Sequence, residues 1–156
     1  MAGHCQLAST AKGKAINGCN YGFGVGFNGS KHGHSFCGHL PEHVDMHAMA
    51  PILCAGVTTY RGIKRTGARP GQWLAVIGIG GLGHIAVQYA KAMGLRVAAV
   101  DVSTEKLNHA KRLGAEVLID AREGDPGAAL REKSGGGAHG AIVTAVSPRA
   151  FEQSVT

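Results

Sequence analysis

No two of the four cysteines, Cys5, Cys19, Cys37 and Cys54, stand in a Cys-x-x-Cys spacing, so neither a zinc ribbon nor a redox dithiol is indicated. No apolar run near residue 1 has the shape of a signal peptide. The most apolar stretch, Trp73 to Val87, is broken by four glycines and His84 and is too short to cross a bilayer. No membrane partner is expected, and a reducing cytoplasm is the default compartment. The chain also lacks a block of like charges. Its net charge of +6 is densest at Arg61, Lys64, Arg65 and Arg69, without the interleaved aromatics of a nucleic-acid surface. The first three share one helical face and are read as closing a helix near Gly67, where they oppose its C-terminal dipole.

What is abundant is glycine, 25 in 156 residues, about twice ordinary usage. Glycine in excess marks turns and close backbone approaches. The length suits one core with an appendage and is too short for two full domains. Residues 1–38 form a Gly- and His-rich arm of weak apolar periodicity, in which Tyr21–Phe27 reads equally as one weak strand or as part of a flexible arm. Residues 39–70 read as a helical linker, with Asp45 as a cap and an interruption at Pro51 before a second helix ending near Arg65. From residue 71 strands and helices alternate. Gln72–Ile77 is a continuous apolar run suited to a strand buried on both faces. A helix over His84–Met93 ends at Gly94, and Leu95–Val100 is a second strand. Ser103 caps a helix to Leu113, and Glu116–Ile119 is a third strand. Pro126–Lys133 is a helix and Gly140–Val146 a fourth strand. The βαβαβαβ pattern predicts an α/β fold, a Rossmann-type doubly wound parallel sheet of about four strands, incomplete and preceded by a poorly structured arm.

The sequence Gly78-Ile79-Gly80-Gly81-Leu82-Gly83 fits G-x-G-x-x-G, and its position between a buried strand and a helix gives the pattern weight. Gly78 permits the tight turn, Gly80 lets backbone approach a pyrophosphate, and Gly83 lets helix and strand pack closely. The helix N-terminus would hold the phosphates. Asp101, at the end of the second strand, is placed to accept hydrogen bonds from an adenosine ribose. Its charge opposes a 2′-phosphate, favouring NAD over NADP.

Four motifs in order resemble the bacterial zinc-dependent medium-chain alcohol dehydrogenases: Ala50-Pro-Ile-Leu-Cys-Ala-Gly-Val-Thr-Thr-Tyr60, Arg69-Pro-Gly-Gln-Trp73, Gly78-Ile-Gly-Gly-Leu-Gly-His84 and Val143-Thr-Ala-Val-Ser-Pro148. The resemblance runs from about His39 to Thr156. It implies oxidation of small primary alcohols to aldehydes with NAD and zinc, by an enzyme that forms homo-oligomers. Carried over by position, Cys54 is the third ligand of the catalytic zinc and Thr58 lies beside the nicotinamide. Lys106 joins Asp101 at the ribose, while Ile79, Gly81, Leu82 and Val146 also contact the coenzyme. Without the resemblance, a lone cysteine in an apolar helix is more often a small core residue.

The departures from the family are equally specific. Its first two zinc ligands and its four-cysteine structural lobe have no counterpart, and the last two strands of its sheet do not follow. The chain is therefore expected to be a fragment that retains cofactor binding. His32, His34, Cys37 and His39 cluster where the arm meets the linker, with His43 and His47 at i, i+4; adventitious metal binding fits this group better than a native site. Tyr60 and Lys64 match the pair of the metal-free short-chain dehydrogenases but precede the glycine turn instead of following it. Two other functions remain open: a non-catalytic NAD-binding module and an S-adenosylmethionine-dependent methyltransferase, whose fold also places an acid after strand two.

Overall fold

A computed structural model describes residues 7–10, 13–16, 38–39, 43–147 and 150. The chain forms two compact units, Met1–Thr58 and Thr59–Thr156. In the first, β1 (Leu7–Thr10), β2 (Gly13–Ile16) and β3 (Gly38–His39) make an antiparallel sheet. Leu7 lies opposite Ile16, and Ala15 opposite His39. Strands of four residues or fewer leave too little alternation to read from sequence. The strand expected at Tyr21–Phe27 lies outside the described residues.

Helix α1 (Met46–Pro51) begins as expected at Asp45, whose carboxylate accepts the His47 N–H at 2.9 Å. The expected break at Pro51 does not occur. The backbone instead widens into a π-helical turn, Ile52–Gly56, closed by the Val57 N–H reaching back to the Ile52 carbonyl, and continues as α2 (Val57–Thr66). Proline has no N–H to give, so one bond of the helical ladder is missing at Pro51, and the helix carries on through the wider turn that directly follows. Lys64 and Arg65 occupy the last turn of α2, and Gly67 follows with φ 73°.

The second unit holds β4 (Trp73–Ile77), α3 (Gly83–Ala92), β5 (Arg96–Asp101), α4 (Thr104–Arg112), β6 (Val117–Asp120), α5 (Pro126–Ser134) and β7 (Gly140–Val143). The four strands are parallel in the order β6-β5-β4-β7. All five residues of β4 are buried, because helices cover both faces of the sheet. Leu74, Val76, Val97 and Ala99 point to one face and pack with Ile63, Ala86, Val87, Ala90 and Leu107. Ile77, Val100 and Ile119 point to the other, against Ala129 and Leu130 of α5. Ser103 and Asp125 cap α4 and α5, and Gly94 and Gly114 follow α3 and α4 with positive φ.

The order places β4 between β5 and β7, so the connections leave it in opposite directions. A crevice opens where they diverge, beyond the carboxyl ends of the strands. The fourth strand is shorter than its sequence suggests, ending at Val143 instead of Val146. Thr144 and Ala145 both turn their N–H groups onto the Ile77 carbonyl, at 2.8 and 3.2 Å, which folds the chain over the end of β4 and stops the ladder.

Candidate functional site

The crevice is a cleft of ≈ 580 Å³. Gly78 and Gly80 line it from the turn after β4, Asp101 and Lys106 from the end of β5 and α4, Arg122 from beyond β6, and Val146 from beyond β7. Five of these six are residues singled out from sequence; Arg122 was missed.

The glycines of the turn answer to different constraints. Gly78 has φ 92°, and a Cβ there would stand 2.7 Å from the Ala145 nitrogen. A Cβ on Gly83 would lie 1.9 Å from the Gly78 carbonyl oxygen. Both are required by the protein's own backbone, for the turn and for the approach of α3 to β4. Gly80 is different: its φ lies outside the left-handed region and a Cβ would meet nothing within 4 Å. The folded chain itself has no need of glycine at a position that faces the cleft. Helix α3 also starts without a side-chain cap, unlike α4 and α5; its His84 N–H is taken by the Gly80 carbonyl at 3.1 Å, and no capping side chain takes the N–H groups on either side of it.

Asp101 is 7% exposed. One carboxylate oxygen accepts the Ile79 N–H at 2.6 Å and the other the Ser103 N–H at 2.9 Å. It therefore ties the glycine turn to the start of α4, and each oxygen keeps a further lone pair for a hydroxyl donor. Ile79 is buried and Gly81 and Leu82 are exposed, and none of the three lines the cleft. Lys106 is exposed, and Val146 is fully exposed.

On the β7 side the Thr144 hydroxyl donates to the Gly78 carbonyl and more weakly to that of Ile77. This bond locks the glycine turn to the opposite wall. Thr144 lies inside a motif already quoted, but nothing in its spacing separates a locking hydroxyl from an ordinary strand residue. Beyond β6, Arg122 pairs with Asp120 and also reaches Thr104. The guanidinium holds the Asp120 carboxyl down at about 2.

Cys54 lies in the π-helical turn and Thr58 in α2, both in the first unit and both exposed. Among the described residues no three of His, Cys, Asp or Glu stand close enough to hold a metal ion. One thiolate does not make a closed zinc site. His43 and His47 are exposed; His32, His34 and Cys37 lie outside the described residues. No helix among the described residues is long and apolar enough to cross a membrane.

Residues 81–156 match the family model described as zinc-binding dehydrogenase. The chain is 56% identical over 122 residues to an alcohol dehydrogenase of Moraxella sp. (strain TAE123), covering 78% of this chain and 36% of that protein. Among solved structures it resembles the alcohol dehydrogenase of Aeropyrum pernix, with a TM-score of 0.66 and 39% identity over 75% of this chain and 36% of the other. It also resembles an Escherichia coli quinone oxidoreductase complexed with NADPH, with a TM-score of 0.58 and 29% identity over 65% and 32%. The chain thus spans about a third of the length of the relatives it matches.

Proposed function

Because the chain belongs to the zinc-binding dehydrogenase family through residues 81–156, we propose that its second unit binds NAD(H) across the end of β4 and serves the oxidation of small primary alcohols. Residues 71–156 act as the coenzyme-binding half, and residues 39–70 as the linker that carries Cys54. The single observation behind this reading is Gly80, open to the cleft and unconstrained by its own fold. A pyrophosphate lying over β4 would approach that bare backbone and the uncapped start of α3. Backbone carries the contact, so a side chain at position 80 would stand in the way.

The remaining contacts follow from the topology. An adenosine on the β5 side meets Asp101 as hydroxyl acceptor and Lys106 as its cationic neighbour. The other half of the dinucleotide lies on the β7 side, against Val146. Nicotinamide supplies hydride acceptance when bound, and the protein's part is to hold and orient it. The fold alone does not select the coenzyme, since a neighbour of the same fold carries NADPH; the ribose end does, and Asp101 favours NAD. Cys54 and Thr58 keep the roles of zinc ligand and nicotinamide contact as proposals from the resemblance.

The test is a fluorescence titration with NADH, with 5′-ADP as competitor. Saturable binding displaced by 5′-ADP supports the reading. No binding, or displacement by S-adenosylmethionine instead, sinks it.

A further inference from the structure

Asp101 and Asp120 are register partners at the ends of β5 and β6, so two carboxylates end neighbouring strands, Asp101 lining the cleft and Asp120 standing behind Arg122, which lines it. Their duties differ. Asp101 is engaged by the backbone N–H groups of Ile79 and Ser103. Asp120 is engaged by Arg122, whose Nε donates to both carboxylate oxygens at 2.9 and 3.1 Å and whose Nη2 donates to Oδ2. The same Nη2 donates to the Thr104 hydroxyl at 3.2 Å, in the first turn of α4. The guanidinium therefore lies across the connection that follows Asp101, and Asp101, Lys106 and Arg122 line the same cleft. Two carboxylates face two cations here, and the formal charges cancel.

We propose that Asp120 is a specificity-determining residue for the coenzyme, acting through Arg122: it holds the guanidinium away from a ribose 2′-phosphate and keeps this end of the cleft neutral. The proposal rests on the reading that the cleft takes a dinucleotide. A guanidinium meets a phosphomonoester best with two parallel N–H groups, and here Nε is spent on Asp120 and Nη2 on Asp120 and Thr104, which leaves Nη1 without a parallel partner. Their pairing is not relieved by mild acid, since Asp120 stays ionised to about pH 2. Asp101 thus excludes the phosphate by its own charge, and Asp120 by occupying the group that would otherwise neutralise it. Replacing Asp120 leaves Lys106 and Arg122 facing Asp101 alone.

The experiment measures NADH and NADPH dissociation constants for the full chain, Asp120→Asn, Asp120→Ala and the double variant Asp120→Ala/Arg122→Gln, with folding checked by thermal melting. The NADPH-to-NADH affinity ratio is expected to rise about tenfold in both single variants, the gain of one charge-assisted contact, and to fall back in the double variant. A second measurement needs no substitution: on the unmodified chain 2′,5′-ADP should bind no more tightly than 5′-AMP, because the 2′-phosphate finds no free pair of parallel guanidinium N–H groups. An unchanged ratio in folded Asp120 variants, a gain that survives loss of Arg122, or tighter binding of 2′,5′-ADP by the unmodified chain overturns the proposal while leaving the dinucleotide reading intact. Failure of the unmodified chain to bind NADH or 5′-AMP overturns both.

Discussion

A methyl group added at Gly80 and one added at Gly83 should have opposite consequences. At Gly80 a Cβ meets nothing within 4 Å and the backbone is not left-handed. Gly80→Ala therefore restricts the unfolded chain without straining the folded one, and stability should hold or rise by about 0.4–1 kcal/mol. At Gly83 the Cβ would stand 1.9 Å from the Gly78 carbonyl oxygen and 2.9 Å from its carbon. Those are backbone atoms between a buried strand and a buried helix turn and cannot swing aside, so Gly83→Ala should cost about 3 kcal/mol. Coenzyme binding reverses the order of harm. The methyl at Gly80 would occupy space that a pyrophosphate needs, a cost of about 2 kcal/mol, or roughly thirtyfold in NADH affinity. Trp73, the chain's one tryptophan, is 6% exposed at the start of β4. Its fluorescence reports urea unfolding of this unit, while NADH fluorescence reports binding. A Gly80→Ala protein that binds NADH as well as the unmodified chain would remove the reason for placing phosphate there, and a Gly83→Ala protein of undiminished stability would refute the packing argument.

Thr59 is 4% exposed, and its hydroxyl has no hydrogen-bond partner among the described residues; Thr59→Val should raise stability by about 1 kcal/mol in urea unfolding, and a loss of stability would show that the hydroxyl is satisfied. Thr144→Val removes the hydroxyl that donates to Gly78 and should cost about 1 kcal/mol while weakening NADH binding; unchanged affinity would mean that the turn holds its shape without this bond. Glu116 pairs with Arg96 and Lys91, which with its hydrogen bonds hold its carboxyl below the usual range. A depressed carboxyl stabilises the folded state above its unfolded value of 4.5 and loses that contribution as pH falls through the folded one. Because the pair is substantially exposed, the effect should stay under about 1 kcal/mol. Glu116→Gln should accordingly flatten the fall in melting temperature below pH 4.5, and an identical pH profile for both proteins would count against the pair.

The sheet was legible in the sequence because its strands announce themselves by burial. Trp73–Ile77 is apolar throughout since both faces are covered, and the glycines after α3 and α4 mark the ends of those helices by the positive φ they adopt. Asp101 could be placed beside the glycine turn, where it lines the cleft, because its distance from that turn follows from one helix and one strand. Arg122 and Asp120 could not, since their role arises from register between β5 and β6 and from a reach across to α4. Pairings across the sheet leave no local period. The early end of β7 was hidden for a similar reason: Val143–Val146 has strand-like composition, and it is the Ile77 carbonyl, far away in sequence, that turns the chain. At Pro51 the local rule predicted a stop, and a wider helical turn supplied another solution.

The position of β7 also bears on the order in which the second unit assembles. The His139 N–H donates to the Trp73 carbonyl, and the Trp73 N–H to the His139 ring nitrogen Nδ1, although 66 residues separate them, whereas Ile79 and Asp101, which join the β4 and β5 ends, are 22 apart. Closing the threefold longer loop costs about 1 kcal/mol more in chain entropy, so docking of β7 is expected to be the late step, to be read as β7 amides gaining hydrogen-exchange protection after those of β4 and β5 during refolding. The wall formed by Thr144–Ser147 comes into being only with that step. A chain still waiting for β7 has the glycine turn and Asp101 but no second side to its cleft. A dinucleotide spanning β4 would therefore recognise the finished sheet alone, and at a hundred times its dissociation constant would stabilise it by about 2.7 kcal/mol. Coenzyme supply would then govern how much of the chain completes its maturation.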